Sequence, residues 1–253
     1  WILTMLILST LGIQADEDNT LQRLPLIDNS GTYSRPISTA NPTTQAYFDQ
    51  GLRFAWGFYF PEAIASYQTA SQLDPTHPMP YWGLAHAMGP NPNSRYARMP
   101  DDPKGEGAKA IAAAVARIAR ATPKEAKLIT ALEKLYDQAQ RPSAQERDTA
   151  YLAAMRDLNQ QYPTDPDIAA LYAGAYMSIQ RWDYWDSEGN PKSETAEVAA
   201  ALEGVIATGI QHPGVFHLHI HLNIRLCQYL FQAIEKCTNR CSLRCLNTKC
   251  IVT

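Results

Sequence analysis

The chain reads as all-α, a stack of about four and a half antiparallel helix pairs, on three observations. From Thr44 onward apolar residues recur at helical spacing. Between Tyr47 and Pro75, small and large side chains alternate at separations that let two helices lie back to back. Helix-start signals then recur down the chain: capping boxes at Thr122 with Glu125 and Ser143 with Glu146, and Pro213 at the favoured first helical position.

The first pair carries the strongest pattern. Gly51 and Ala63 allow close backbone approach, Tyr67 and Phe54 fill the space beside them, and Pro75 ends the second helix. With Tyr47 and Ala70 these residues stand at the offsets of a tetratricopeptide repeat, which the segment resembles. The resemblance implies a tetratricopeptide-like α-solenoid whose concave face holds partners. The next repeat opens at Pro78 to Met88, with Tyr81 and Ala85 in register one period of about 34 residues later. An insertion, Gly89 to Lys104, with four prolines, delays its partner helix, expected over 106–121. Helices are expected over 123–139 and 144–161, and then over 167–179, where Ala169, Ala170, Ala173 and Gly174 suit tight packing. A second insertion, Gln180 to Lys192, precedes a helix over 194–209 capped by Ser193, and Pro213 opens the last one.

The ends differ from this middle. Residues 1–13 are apolar and uncharged and run through Gln14 and Ala15 into Asp16, Glu17 and Asp18, the pattern of a secretory signal peptide cleaved after Ala15. Thirteen residues are too few to cross a bilayer core of about 30 Å, so no permanent membrane span is expected. The chain begins with Trp1 and lacks a basic start, so 1–15 reads as a signal peptide truncated at its start, and export to the periplasm or the extracellular space follows. Residues 16–43 form an extended polar leader, 44–223 the helical-repeat domain, and 224–253 a divergent tail. That tail is basic and holds all the cysteines, Cys227, Cys237, Cys241, Cys245 and Cys250. A net charge of −3 without a dense basic face speaks against a nucleic-acid partner.

Histidine is scarce, yet His212, His217, His219 and His221 fall within ten residues. On a helix from Pro213, His217 and His221 share a face at a spacing that suits one divalent transition metal; extended, the segment would instead align His217, His219 and His221. His86 is a further candidate ligand, although the plainer reading of it is a satisfied core or groove histidine. The WDYW run sets three large aromatics around Asp183 in a loop. Buried, it closes the insertion over the helices; exposed, it offers Trp182, Asp183 and Trp185 to a partner, together with Tyr81 and Trp82. Gly105, Gly107 and Lys109 do not reproduce a phosphate loop, no dinucleotide fingerprint is present, and no serine sits in a nucleophile elbow.

Taken together, YWGLAHAMGPN at Tyr81 to Asn91, WDYW followed by Gly189 and Pro191, and HPG followed by His217 and His221 resemble a group of exported bacterial tetratricopeptide proteins over residues 45–223. In that group a Glu follows the second histidine by three residues, where this chain has Ile224, so the resemblance implies the fold and leaves a His, His, Glu triad incomplete. The expected function is an exported scaffold with a protein or peptide in its groove. The alternative is a metal-binding protein or metal-dependent enzyme using His217 and His221.

Overall fold

The computed structural model describes residues 24–92, 102 and 104–224, and among these the regular structure is helical. In chain order the helices are α1 (Pro42–Trp56), α2 (Phe60–Leu73), α3 (Pro78–Met88), α4 (Glu106–Val115), α5 (Pro123–Glu133), α6 (Ala144–Gln161), α7 (Pro166–Gln180), α8 (Thr195–Ala207) and α9 (213–224). From α1 to α8, helices adjacent in sequence pack on one another, and α3 also touches α1 and α5. No described helix is long and apolar enough to cross a membrane. The signal-peptide and cysteine-tail readings lie outside the described residues.

Local chemistry accounts for where the helices start. Proline occupies the first turn of α1, α2, α3, α5 and α7, where its missing N–H costs nothing. Asn41, Thr122, Ser143 and Asp165 accept the free amides of α1, α5, α6 and α7 through their side chains, and both expected capping boxes are formed. Two helices end earlier than their periodicity suggests. After Glu133 the amides of Lys134, Leu135 and Tyr136 bond three residues back, so the expected helix over 123–139 tightens and stops; 106–121 likewise gives way at Val115 to a short 3₁₀ turn, Ile118–Arg120. Ser193 does not cap α8. It takes φ +45°, and the cap position falls to Glu194, because a bridge pairing Trp185 with Pro191 has already folded the second insertion back on itself.

The first three helices are locked by one ring. Tyr67 on α2 is fully buried, and a Cβ built on Gly51 of α1 would lie 2.8 Å from it, one on Gly83 of α3 only 2.4 Å. Glycine at both places leaves the phenol ring room between two helices. Phe48, Leu52, Met79 and Trp82 complete this part of the core, and Ile168, Tyr172, Tyr176, Val198 and Leu202 build the part beneath α7 and α8.

Residues 24–41 carry no helix and run as a strap across the helices. The Gln50 side chain accepts from the Ile27 amide at 2.7 Å and donates to Pro25 O at 3.1 Å. Asp49 accepts from Ser34 Oγ and the Arg35 amide at 2.7 and 3.0 Å, and Glu125 on α5 accepts from the Ser38 amide and hydroxyl at 2.8 and 2.7 Å. Carboxylates and amides thus pair a backbone that has no helical partners of its own.

Candidate functional site

Side chains from α1, α3, α6, α7 and α9 converge on one pocket of about 70 Å³. Its walls are largely apolar, with Trp56, Phe58, Tyr151 and Leu171 among them, and its polar members include His86, Asp148, Ser178 and His217. Gly174 borders this space: a Cβ there would find only Pro92, at an ordinary 3.8 Å. The expectation that Gly174 serves tight helix packing is therefore corrected. Ala169, Ala170 and Ala173 on the same helix do pack fully buried, whereas Gly174 leaves a wall of the pocket open.

His86 lies against the Trp82 indole, the rings parallel within 2° at 5.4 Å between centroids, and against Trp56 at 5.6 Å. Its Nδ1 is shut off from solvent and has no hydrogen-bond partner among the described residues. Burial lowers its pKa to about 4, against a pull upward from Asp167, so the ring is neutral at ordinary pH. Across the pocket, α9 presents His217 and His221 on one face with their ring centroids 4.5 Å apart. Phe58 flanks His217 at 4.6 Å and Trp182 flanks His221 at 4.9 Å, making a row of four rings. Burial lowers both histidines, and the neighbouring His221 lowers His217 further. Among the described residues no group of three His, Cys, Asp or Glu side chains is placed to hold a metal ion. His219 faces Glu203 instead, at 3.5 Å.

Beneath the pocket sits a carboxylate that sequence reasoning missed. Asp167, completely buried in the first turn of α7, accepts from Tyr33 Oη at 2.6 Å, Arg35 at 2.9 Å, the Trp56 indole at 2.9 Å and pairs with His212 Nε2 at 3.0 Å. His212 Nδ1 accepts the Val215 amide at 3.0 Å, which leaves Nε2 as the proton-bearing nitrogen that donates to Asp167. Burial opposes ionisation of Asp167. The Arg35 charge and the hydrogen bonds from His212 and Tyr33 outweigh it and hold the carboxyl well below the usual carboxylate range. The HPG motif is thereby explained residue by residue. His212 caps α9 and reaches Asp167, Pro213 starts the helix, and Gly214 makes way for Trp56, since a Cβ there would lie 2.4 Å from the indole.

The aromatic partner-binding candidates are dispersed. Trp82 is buried with its indole N–H on Leu128 O at 3.3 Å, and it touches the pocket only through the His86 ring stacked on it. Tyr81 donates to Pro75 O at 3.2 Å and lies under the Arg117 guanidinium at 4.3 Å, away from the pocket. In the WDYW run, Tyr184 is buried, Trp182 and Trp185 are half-buried, and Trp185 donates to Leu222 O at 2.7 Å, so the loop closes over α9. Asp183 is exposed, paired with Lys192 at 2.5 Å. The pocket residues missed from sequence, Trp56, Asp148 and Tyr151, stand on helices where their local pattern is that of ordinary packing positions. No family model, curated protein or solved structure matches this chain.

Proposed function

We propose that the chain is an exported tetratricopeptide-type α-solenoid that holds a protein or peptide partner in its concave groove, with the central pocket as the anchor point. The observation that carries this reading is the convergence of α1, α3, α6, α7 and α9 on one apolar pocket edged by neutral histidines. A concave, mostly apolar site with few polar groups is the usual form of a specific binding site, and an apolar side chain seated in such a pocket supplies most of a peptide's binding energy. The repeat reading draws support from Tyr67 wedged between Gly51 and Gly83, the close approach that a helix-pair stack needs. Export rests on residues 1–15, outside the described residues.

A second reading, a metal-binding protein or metal-dependent enzyme, is favoured by the His217 and His221 rings on one face of α9, 4.5 Å apart. Zinc takes about four ligands in structural sites and three in catalytic ones, and the described residues bring together two. The scaffold reading is therefore preferred.

Peptides selected from a random 12-mer display on the purified chain, then titrated against it, test the choice. Selected peptides should compete with one another, and Gly174→Leu, which fills the pocket from α7, should weaken them at least about tenfold. Peptides indifferent to Gly174→Leu, or stoichiometric metal in the native chain that is lost in His217→Ala and His221→Ala, would reverse the preference.

A further inference from the structure

At the edge of the pocket, two imidazoles of α9 stand side by side with nothing in the described chain bonded to their nitrogens. We infer that His217 and His221 together receive a carboxylate, the Asp or Glu side chain of the bound peptide. This inference rests on the binding reading above and names a group that the peptide carries.

Backbone strain marks the place. Phe58 and Trp182 come from different loops, yet both hold positive φ, +63° and +71°, a region that bulky side chains avoid. Each sets its ring against one histidine of the pair, Phe58 on His217 at 4.6 Å and Trp182 on His221 at 4.9 Å. Strain of this kind gathers where a fold fixes side chains for a ligand. The nitrogens set what the ligand offers. His221 Nδ1 is shut away from solvent, so that ring meets a ligand through Nε2, whereas both nitrogens of His217 stay open. A metal ion is the poorer complement, because a ligating imidazole ordinarily donates its far N–H to an acceptor, and His221 Nδ1 has none among the described residues. Charges around the pair are already spoken for: His219 turns to Glu203 on α8, Asp183 is tied to Lys192, Asp148 on α6 has interactions of its own, and His86 is neutral. Arg181, next to Trp182 in the chain, is exposed and adds no negative charge. A carboxylate offers an oxygen to each ring, and its charge favours proton uptake by His217, which burial and the neighbouring His221 otherwise oppose.

Titrating the full chain with acetyl-Leu-Asp-Leu-amide, acetyl-Leu-Asn-Leu-amide and sodium acetate, followed by the imidazole Hε1 resonances in NMR, reads the pair directly. The Asp peptide should bind about tenfold tighter than the Asn peptide near pH 5.5, and about tenfold tighter there than near pH 7.5. His221→Leu should bring the two peptides level; His221→Phe replaces it if it fails to give a native circular dichroism spectrum. His217→Gln keeps an N–H donor but takes up no proton, so it should leave the affinity near pH 7.5 in place and flatten the pH dependence. Equal binding of the Asp and Asn peptides, Asp binding that weakens as the pH drops, or no movement of either Hε1 resonance with any of the three overturns the proposal. Acetate binding as tightly as the Asp peptide assigns the carboxylate to a free acid, which sinks the peptide reading while His217 and His221 keep their role. Selected 12-mers that respond to Gly174→Leu yet bind equally well once every Asp and Glu in them is changed to Asn and Gln would sink the carboxylate inference alone.

Discussion

At the residue scale the decisive group is Asp167. One buried carboxylate receives hydrogen bonds from residues 134, 132, 111 and 45 positions away in the chain. None of those separations leaves a trace in local sequence, where Asp167 looks like any acid in the first turn of a helix. The expected outcome of Asp167→Asn is a loss of about 1–3 kcal/mol in a urea titration, because the buried Arg35 loses one of its two carboxylate partners and keeps Asp165 at 2.9 Å. Adding Arg35→Met to Asp167→Asn should recover part of that loss, a coupling of more than about 1 kcal/mol in the double-mutant cycle. Additive effects would show that the pair is not the source. The HPG run was visible as a helix start, but the hydrogen bond from His212 to Asp167 was not, since both tautomer and partner depend on where α7 lies.

At the element scale, close packing was legible wherever both partners sit in one helix pair. Gly51 and Tyr67 are 16 residues apart on consecutive helices, and their contact follows from spacing alone. Gly83 meets the same Cδ1–Cε1 edge of the ring from α3 and was not singled out, because its role depends on how the second pair is set against the first. Gly83→Ala should cost about 1–3 kcal/mol, the usual range for overpacking. The penalty should shrink in a Tyr67→Leu background, which removes the atoms that the new methyl would strike. An alanine equally costly in both backgrounds would assign the effect to something other than the ring. Element ends were less legible than element existence: α5 and α4 both stop where three-residue hydrogen bonds take over, and the caps that halt a helix are weaker signals than those that start it.

At the scale of the whole molecule, stability should fall in mild acid for a reason located in the histidines. Burial lowers His77, His86, His217 and His221 alike. A native histidine pKa below the unfolded value of about 6.5 means that the unfolded chain binds protons more readily, so stability is full above that pH and declines as the pH drops through the gap. For His86 the decline ends near its native pKa of about 4, and its share is about 3 kcal/mol. Asp167, held low in the native state, adds its own loss only at the acid end, where the unfolded carboxyl begins to take up protons near pH 4, and most of that loss lies below the window. Urea midpoints measured from pH 7 to pH 4 should fall steadily in the native chain and less steeply in His86→Leu; parallel curves would remove His86 as the cause.

The grip on Asp167 also bears on how such a chain can change over generations. Tyr33 and Arg35 come from the strap, Trp56 from α1 and His212 from the turn before α9. An extra helix pair inserted before α7 would push these groups apart by roughly the 8–10 Å that separates packed helices, stranding a guanidinium inside the protein. Loop length and surface can vary without touching this clasp, whereas a helix pair added between the strap and α7 would carry Tyr33, Arg35 and Trp56 away from the carboxylate they hold.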